Sequence, residues 1–169
     1  MTNVRDAVDA DVDAIASIYN AAVESSIATF DEQPSSVADR RNWFSQFDTV
    51  GPHRLLVATD PATDRVLGYA GSMSYRSHPA FAATVEFTIY LDHAARGHGV
   101  GSGLYRALLD ELTDETVHCV VVGIALPNEA SVALHRRFGF VDVGVFREYA
   151  RKNGAWIDSL WMQKILSNS

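Results

Sequence analysis

Hydrophobic residues recur along the chain at two different spacings, and each spacing predicts a different element. Val12, Ile15, Tyr19 and Ala22 recur at helical spacing. Valine-rich runs between turn residues, such as 118–124, are typical of buried strands. The pattern predicts the order β-α-α-β-β-β-α-β-α-β-β. The helices are predicted to begin near Asp9 or Asp11, Ser36, Val100 and Asn128. The strands are predicted at 3–7, 54–59, 65–75, 84–91, 118–124, 141–150 and 156–165. This order indicates a mixed α/β layer fold rather than a doubly wound sheet with regular alternation.

The length and composition favour one folded domain over residues 1–169. A single cysteine, Cys119, cannot form an internal disulfide framework and fits a reducing compartment. No apolar run approaches the ~20 residues that span a bilayer. The first residues also lack the basic and apolar regions of a signal peptide. We therefore expect a cytoplasmic protein with no membrane partner.

Acidic residues outnumber basic residues, with 14 Asp and 7 Glu against 12 Arg and 2 Lys. The formal charge of −7 argues against nonspecific binding to nucleic acid, which relies on basic patches. The excess of Asp and the scarcity of Lys fit a surface adapted to high salt. An ordinary acidic composition explains a charge of this size equally well.

The segment from Arg96 to Gly103 reads Arg-Gly-His-Gly-Val-Gly-Ser-Gly and separates a predicted strand from a predicted helix. Helix N-termini expose unpaired N–H groups, and glycines let the backbone approach an anion closely. The pattern is neither a P-loop, because no Gly-Lys-Ser/Thr follows, nor a dinucleotide fingerprint, because its third glycine is displaced. Taken alone, it predicts either an anion site or a flexible connector.

Two further features of the sequence relate this turn to a known protein family. Arg-Gly-x-Gly-x-Gly after a strand, with Asn128 and the segment 134–140 downstream, resembles the GNAT superfamily of acetyl-CoA-dependent N-acetyltransferases. The resemblance covers the chain from about Val4 to Lys164, and it implies a mixed, mostly antiparallel central sheet that is flanked by helices and splayed between its two central strands. Four segments are similar to the phosphinothricin and methionine sulfone acetyltransferase branch, namely 28–31, 39–44, 84–86 and 156–158.

The resemblance implies acetyl-CoA as cosubstrate, with its pyrophosphate on the glycine turn and its pantetheine arm along the preceding strand. The residues implied to bind it are Thr88, Ile89, Tyr90, Arg96, Gly97, His98, Gly99, Val100, Gly101 and Asn128. No metal is expected, because the six histidines show no metal-binding spacing.

Two side chains are candidates for proton transfer. Acetylation needs an amine without its extra proton, so a base must remove one. Glu86 is the candidate base, because a carboxylate in a central strand is costly to bury unless it is paired or functional. The resemblance implies that His135 replaces a tyrosine of other GNAT members and protonates the departing thiolate. A packed histidine is the alternative. An acetyl-Cys119 route is disfavoured, because a free cysteine in an apolar strand usually behaves as a small hydrophobe.

The resemblance also implies an amino-acid-like acceptor. Arg76 is the candidate partner for its carboxylate. The other candidate acceptor-binding residues are Phe30, Tyr75, Ser77, Val85 and Phe87. The loop 76–83, Arg-Ser-His-Pro-Ala-Phe-Ala-Ala, has fewer cations than its counterpart in phosphinothricin acetyltransferases, which puts tight binding of a doubly anionic acceptor in doubt.

The sequence therefore predicts an N-acetyltransferase that acts on the α-amine of a small amino acid or analogue by direct transfer. Two alternatives stay open: a peptide or protein N-terminal acetyltransferase, and a non-catalytic acetyl-CoA-binding module. A homodimer is common in the branch, and the aromatic C-terminal strand with Trp156 and Trp161 fits either a dimer contact or core packing.

Overall fold

A computed structural model describes residues 2–166. One sheet of seven strands carries helices on both faces. The strands are β1 (Asn3–Asp6), β2 (Leu55–Thr59), β3 (Val66–Ser74), β4 (Thr84–Leu91), β5 (Cys119–Ala125), β6 (Val141–Lys152) and β7 (Ala155–Ile165). The helices are α1 (Val12–Ser25), α2 (Val37–Phe44), α3 (Val100–Glu111) and α4 (Glu129–Arg137). This order of elements is the predicted one.

The strands lie in the order β1-β2-β3-β4-β5-β7-β6. Neighbours pair antiparallel except β4 and β5, which are parallel. The expectation of a mixed, mostly antiparallel sheet flanked by helices is confirmed.

The two central strands separate half-way along their length. Their pairing runs from Thr84 with Cys119 to Glu86 with Val121 and then ends. On their outer sides, β4 stays paired with β3 as far as Leu91, and β5 stays paired with β7 as far as Ala125. The splay between the central strands is therefore confirmed, and it opens the sheet along one edge of β4.

Strand alternation divides the core between the two faces of the sheet. Leu56 and Ala70 belong to the core beneath α3, whereas Val57 and Tyr69 belong to the core beneath α1 and α2. All four are at most 2% exposed. Successive side chains of a strand point to opposite faces, so each strand serves both cores.

Local signals in the sequence set several boundaries. Ser36 and Asp39 form a capping box at the start of α2, where the sequence predicted a helix to begin, with the Asp39 N–H donating to Ser36 Oγ at 3.1 Å. The last hairpin is longer than predicted, because Asn153 and Gly154 alone make the turn, both at positive φ. Three short 3₁₀ helices were not predicted, since three residues give no periodicity to detect; they lie at Asp9–Asp11, Pro79–Phe81 and His93–Ala95.

The longest helix between residues 2 and 166 has 14 residues, and none there is both long and apolar enough to cross a bilayer.

Candidate active site

A cleft of about 620 Å³ opens where β4 and β5 separate. Its walls come from the end of β4, the glycine turn, the first turn of α3, one face of α4 and the segment that follows α1. Eight of the ten residues predicted to bind acetyl-CoA line it, namely Ile89, Tyr90, Arg96, Gly97, Gly99, Val100, Gly101 and Asn128. Thr88 and His98 do not line the cleft, and His98 is exposed on the turn.

The glycine turn has a backbone that side chains would strain. Gly97 has φ +78° and Gly99, the N-cap of α3, has φ +81°. A Cβ at either position would meet nothing within 4 Å, so conformation rather than space requires glycine there. Gly99, Val100, Gly101 and Ser102 all line the cleft, which places the unpaired N–H groups at the start of α3 beside it. The turn is therefore built to hold an anion.

Two arginines add positive charge to the same wall. Arg96 lies on the turn, and Arg137 lies at the end of α4 with Nη1 3.4 Å from Ser102 Oγ. Arg137 was missed in the sequence. It follows Asn128, Ser131 and Leu134 at steps of three residues, and all four line the cleft. That spacing is the signal that could have found it.

The cleft fits acetyl-CoA in two further ways. The edge of β4 beyond Glu86 has no strand beside it on the β5 side, so its backbone amides are open to an extended arm that carries amides of its own. The Asn128 side-chain oxygen accepts from the Ser131 N–H at 3.2 Å and caps α4, which leaves the amide NH₂ of Asn128 for a ligand.

Comparison with known proteins identifies this arrangement. A family model described as an acetyltransferase (GNAT) domain matches residues 4–161. The chain belongs to the GNAT acetyltransferase family. A phosphinothricin N-acetyltransferase of Streptomyces coelicolor is 44% identical over 96% of this chain and 95% of its own length. An L-methionine sulfoximine/L-methionine sulfone acetyltransferase of Pseudomonas aeruginosa is 38% identical over 95% of this chain and 92% of its own.

A solved GNAT structure, a phosphinothricin acetyltransferase from Sinorhizobium meliloti in complex with acetyl-CoA, superposes with a TM-score of 0.92 at 34% identity, covering 98% of this chain and 89% of that one. The chain is thus an acetyl-CoA-dependent N-acetyltransferase. Acetyl-CoA supplies the acetyl group as a thioester, and the protein supplies the groups that hold and deprotonate the reactants.

Glu86 lies on β4 three residues before Ile89, the first residue of that strand to line the cleft. It faces Met73 on β3 and Val121 on β5, and its side chain is half-buried. Burial raises the pKa of Glu86 above its ordinary range. A carboxylate with a raised pKa is a stronger base when it is ionised. The position and the shift both suit the GNAT enzyme's proton acceptor.

The structure does not place His135 as a proton donor. The ring is 1% exposed and belongs to the core between α3 and α4 rather than to the cleft lining. Nδ1 lies 2.7 Å from the Ser131 carbonyl oxygen, which can only accept. Nδ1 therefore carries the hydrogen, and Nε2 accepts from the Tyr105 hydroxyl at 2.7 Å.

Burial also lowers the pKa of His135, so the ring stays neutral with its one N–H already donated. The expectation that His135 protonates the thiolate is corrected to the packed alternative.

Val85 and Phe87 are also displaced from their expected role in acceptor binding. They are 0% and 2% exposed and pack beneath α3, with the Phe87 ring 5.4 Å from the Tyr105 ring. They lie on the opposite face of β4 from Glu86, as strand alternation requires. Neither side chain therefore lies on the face of the sheet that carries Glu86.

The remaining acceptor candidates lie beside an aromatic surface that the sequence did not predict. Trp161 on β7 pairs with Gly123 on β5, two residues after Val121, so the indole lies on the same face of the sheet as Glu86. The aromatic surface consists of Phe30, Tyr75, Phe146, Tyr149 and Trp161.

Contacts between rings connect this surface from end to end. The ring centroids of Phe30 and Tyr149 are 5.9 Å apart, and those of Tyr75 and Trp161 are 6.1 Å apart. A Cβ on Gly123 would come within 3.0 Å of the indole, so glycine leaves room for the ring to lie against β5. Such a surface suits an acceptor whose side chain is largely apolar.

Arg76 and Ser77 lie in the exposed loop after β3. The Arg76 guanidinium stacks on the rings of Tyr75, at 5.0 Å, and Phe81, at 5.4 Å. The stacking holds a cation at the rim of the aromatic surface. Among residues 2–166, no group of three or more His, Cys, Asp or Glu side chains is arranged to hold a metal ion.

Proposed function

We propose that this GNAT enzyme acetylates the α-amine of a small amino acid or amino-acid analogue of the phosphinothricin and methionine sulfone type. The observation that carries the proposal is the position of Glu86. Glu86 is the last β4 residue paired with β5; three residues further on, Ile89 lines the acetyl-CoA cleft, and Trp161 of the aromatic surface lies on the same face of the sheet as Glu86. The specificities named for the relatives from S. coelicolor and P. aeruginosa support the acceptor class.

Each group of the site has a separate task. Glu86 accepts a proton from the acceptor's ammonium or amine, directly or through a water molecule. The glycine turn, Arg96 and Arg137 bind the phosphates. Arg76, at the rim, pairs with the acceptor's carboxylate.

The balance of charge favours neutral acceptor side chains. Phosphinothricin carries a second anion on its side chain, whereas a methionine sulfone side chain is neutral. Apart from Arg76, the loop 76–83 contains no arginine or lysine, and the surface beside it is aromatic. Because a second buried anion needs a second cation, we expect methionine sulfone to have the lower KM.

The test is release of CoA from acetyl-CoA with a panel of acceptors, namely methionine sulfone, methionine sulfoximine, phosphinothricin, methionine and short peptides with free N-termini. Turnover on the sulfone and sulfoximine that collapses in Glu86→Gln supports the proposal. Activity confined to the peptides would move the enzyme to protein N-terminal acetylation. Binding of acetyl-CoA without turnover on any acceptor would favour a non-catalytic module.

We also propose that the enzyme works as a homodimer in the cytoplasm. The edge strand β6 and the start of β7 expose large apolar side chains, with Val141, Val143 and Trp156 each about 60% exposed. We propose a second copy of the chain as the partner that covers this edge. The proposal of a cytoplasmic location rests on Cys119, which is a free thiol in the structure and agrees with a reducing compartment. Sedimentation velocity would show a dimer that Val143→Glu dissociates; a wild-type monomer would contradict the proposal.

A further inference from the structure

Lys152, the last residue of β6, is a buried cation that the acetyl-transfer site described above does not use. Its side chain is almost fully covered, at 3% exposure. Nζ donates to the carbonyl oxygens of Val23 at 2.9 Å, Ser26 at 2.7 Å and Thr29 at 2.9 Å. An ammonium has three protons, and each of these has a partner.

The three carbonyls belong to one stretch of chain, the end of α1 and the segment after it. Carbonyls at the C-terminus of a helix lack N–H partners and carry partial negative charge, so a cation there is stabilising. Lys152 supplies this cation from the β6–β7 hairpin, more than 120 residues away in the sequence.

The segment held in this way is a wall of the active site. Ser26, Ile27 and Ala28 line the acetyl-CoA cleft, and Phe30 begins the aromatic surface. The segment is also held from the other side of the cleft, where the Tyr90 hydroxyl donates to the Ala28 carbonyl at 3.2 Å. Displacement of this wall would therefore change both binding surfaces at once.

We propose that Lys152 is a positioning residue for acetyl transfer. It fixes the segment 26–30 so that the cleft wall and Phe30 hold their places relative to Glu86. The claim about acetyl-CoA needs only the GNAT activity, whereas the claim about Phe30 and the acceptor rests on the proposed function.

Lysine suits this position better than arginine. Its compact head group can aim three N–H bonds at three separate carbonyls. The guanidinium of arginine is a planar fork, which matches two oxygens in one plane. Charge alone is therefore insufficient, and Lys152→Arg should not restore what Lys152→Met loses.

The experiment measures Kd for acetyl-CoA by calorimetry, and KM and kcat for the acceptor, in Lys152→Met and Lys152→Arg. We expect both variants to raise Kd and acceptor KM by about tenfold, because a loosened wall must be ordered on binding. We expect kcat to change less than about threefold, because Glu86 is untouched. The matched control is Met162→Ala, which removes a fully buried side chain from the same hairpin on the α3 side of the sheet.

A Kd within twofold of the wild-type value in Lys152→Met would overturn the proposal, as would a rise of equal size in Met162→Ala. If Lys152→Met does not fold, Lys152→Arg keeps the charge but not the three separate N–H directions, and an unchanged Kd there would equally overturn the proposal. The Kd for acetyl-CoA needs no acceptor, so it tests Lys152 even if none of the panel is acetylated and the proposed function fails.

Discussion

Glu86 and Val121 form the last backbone pair between the two parallel strands at the centre of the sheet. Beyond this pair one edge of β4 is open, and the cleft lies along it. On the same face of the sheet, Gly123 pairs with Trp161, which belongs to the aromatic surface. The two central strands thus separate just after Glu86, on the face of the sheet that carries the aromatic surface.

Replacement of Glu86 by Gln should remove the base while keeping the shape of the side chain. We expect kcat/KM for the acceptor to fall by about 10²–10⁴-fold. The Kd for acetyl-CoA should stay unchanged, because Glu86 is not among the residues that line the cleft. Steady-state CoA release and calorimetry measure the two values. A loss smaller than about tenfold would assign proton removal to another group or to solvent.

The raised pKa of Glu86 predicts two pH effects. The acid limb of kcat/KM should lie above the ordinary glutamate value of about 4.3, and activity should rise with pH until Glu86 is ionised. The pKa of Glu86 is higher in the folded state than in the unfolded state, so the folded state holds this proton more tightly. The free energy of unfolding therefore falls as pH rises from the unfolded-state pKa through the folded-state pKa. Glu86→Gln should therefore melt no lower than the wild type at pH 7. A lower melting temperature would show that the carboxylate stabilises the fold.

The cofactor site was predictable because it is local in the sequence. The strand end, the glycine turn and the first turn of α3 occupy one continuous stretch, 89–101, so the motif and the family resemblance together located one wall of the cleft. Asn128 was found from the family resemblance, and it lines the cleft as a helix cap.

The acceptor side was predicted less well because it depends on distant pairing. Trp161 reaches the Glu86 face only through the register of β7 against β5, which no local pattern contains. The resemblance implied a role for His135, but no local pattern shows that its ring packs between α3 and α4 rather than in the cleft. For Val85 and Phe87, strand alternation already placed them opposite Glu86, and the resemblance should not have outweighed it.

The hydrogen bond between Tyr105 and His135 predicts that its removal lowers the stability of the fold but leaves catalysis unchanged. Tyr105→Phe keeps the ring but leaves Nε2 of His135 without a donor in the core. An unsatisfied buried acceptor costs about 1–3 kcal/mol of unfolding free energy. We expect urea denaturation to show this loss and kcat to stay within about threefold of the wild-type value. A large fall in kcat with unchanged stability would return His135 to a role in proton transfer.

Gly99 should be replaceable only at a cost to cofactor binding. At φ +81° an alanine is strained, and an aspartate also puts a negative charge at the anion site. We expect Gly99→Ala to weaken acetyl-CoA binding and Gly99→Asp to abolish it by calorimetry. Gly103→Ala is the matched control, because Gly103 lies inside α3, does not line the cleft and has room for a Cβ. That variant should keep the wild-type Kd and gain up to about 1 kcal/mol of stability. An unchanged Kd in Gly99→Asp would contradict the placement of the phosphates on this turn.

Arg137 tests whether the end of α4 contributes to the phosphate site. Its side chain is exposed, so solvent screens its charge and the expected effect is moderate. We expect Arg137→Gln to raise the Kd for acetyl-CoA by about three- to tenfold at low salt, with the difference shrinking as salt is added. Arg106→Gln removes an equally exposed charge from α3 outside the cleft and should leave Kd unchanged. Equal shifts in the two variants would mean that net charge, rather than a contact from α4, governs binding. A shift confined to Arg137→Gln would instead show that the Arg137 side chain, which lies 3.4 Å from Ser102 Oγ at the start of α3, contributes to acetyl-CoA binding from the end of α4.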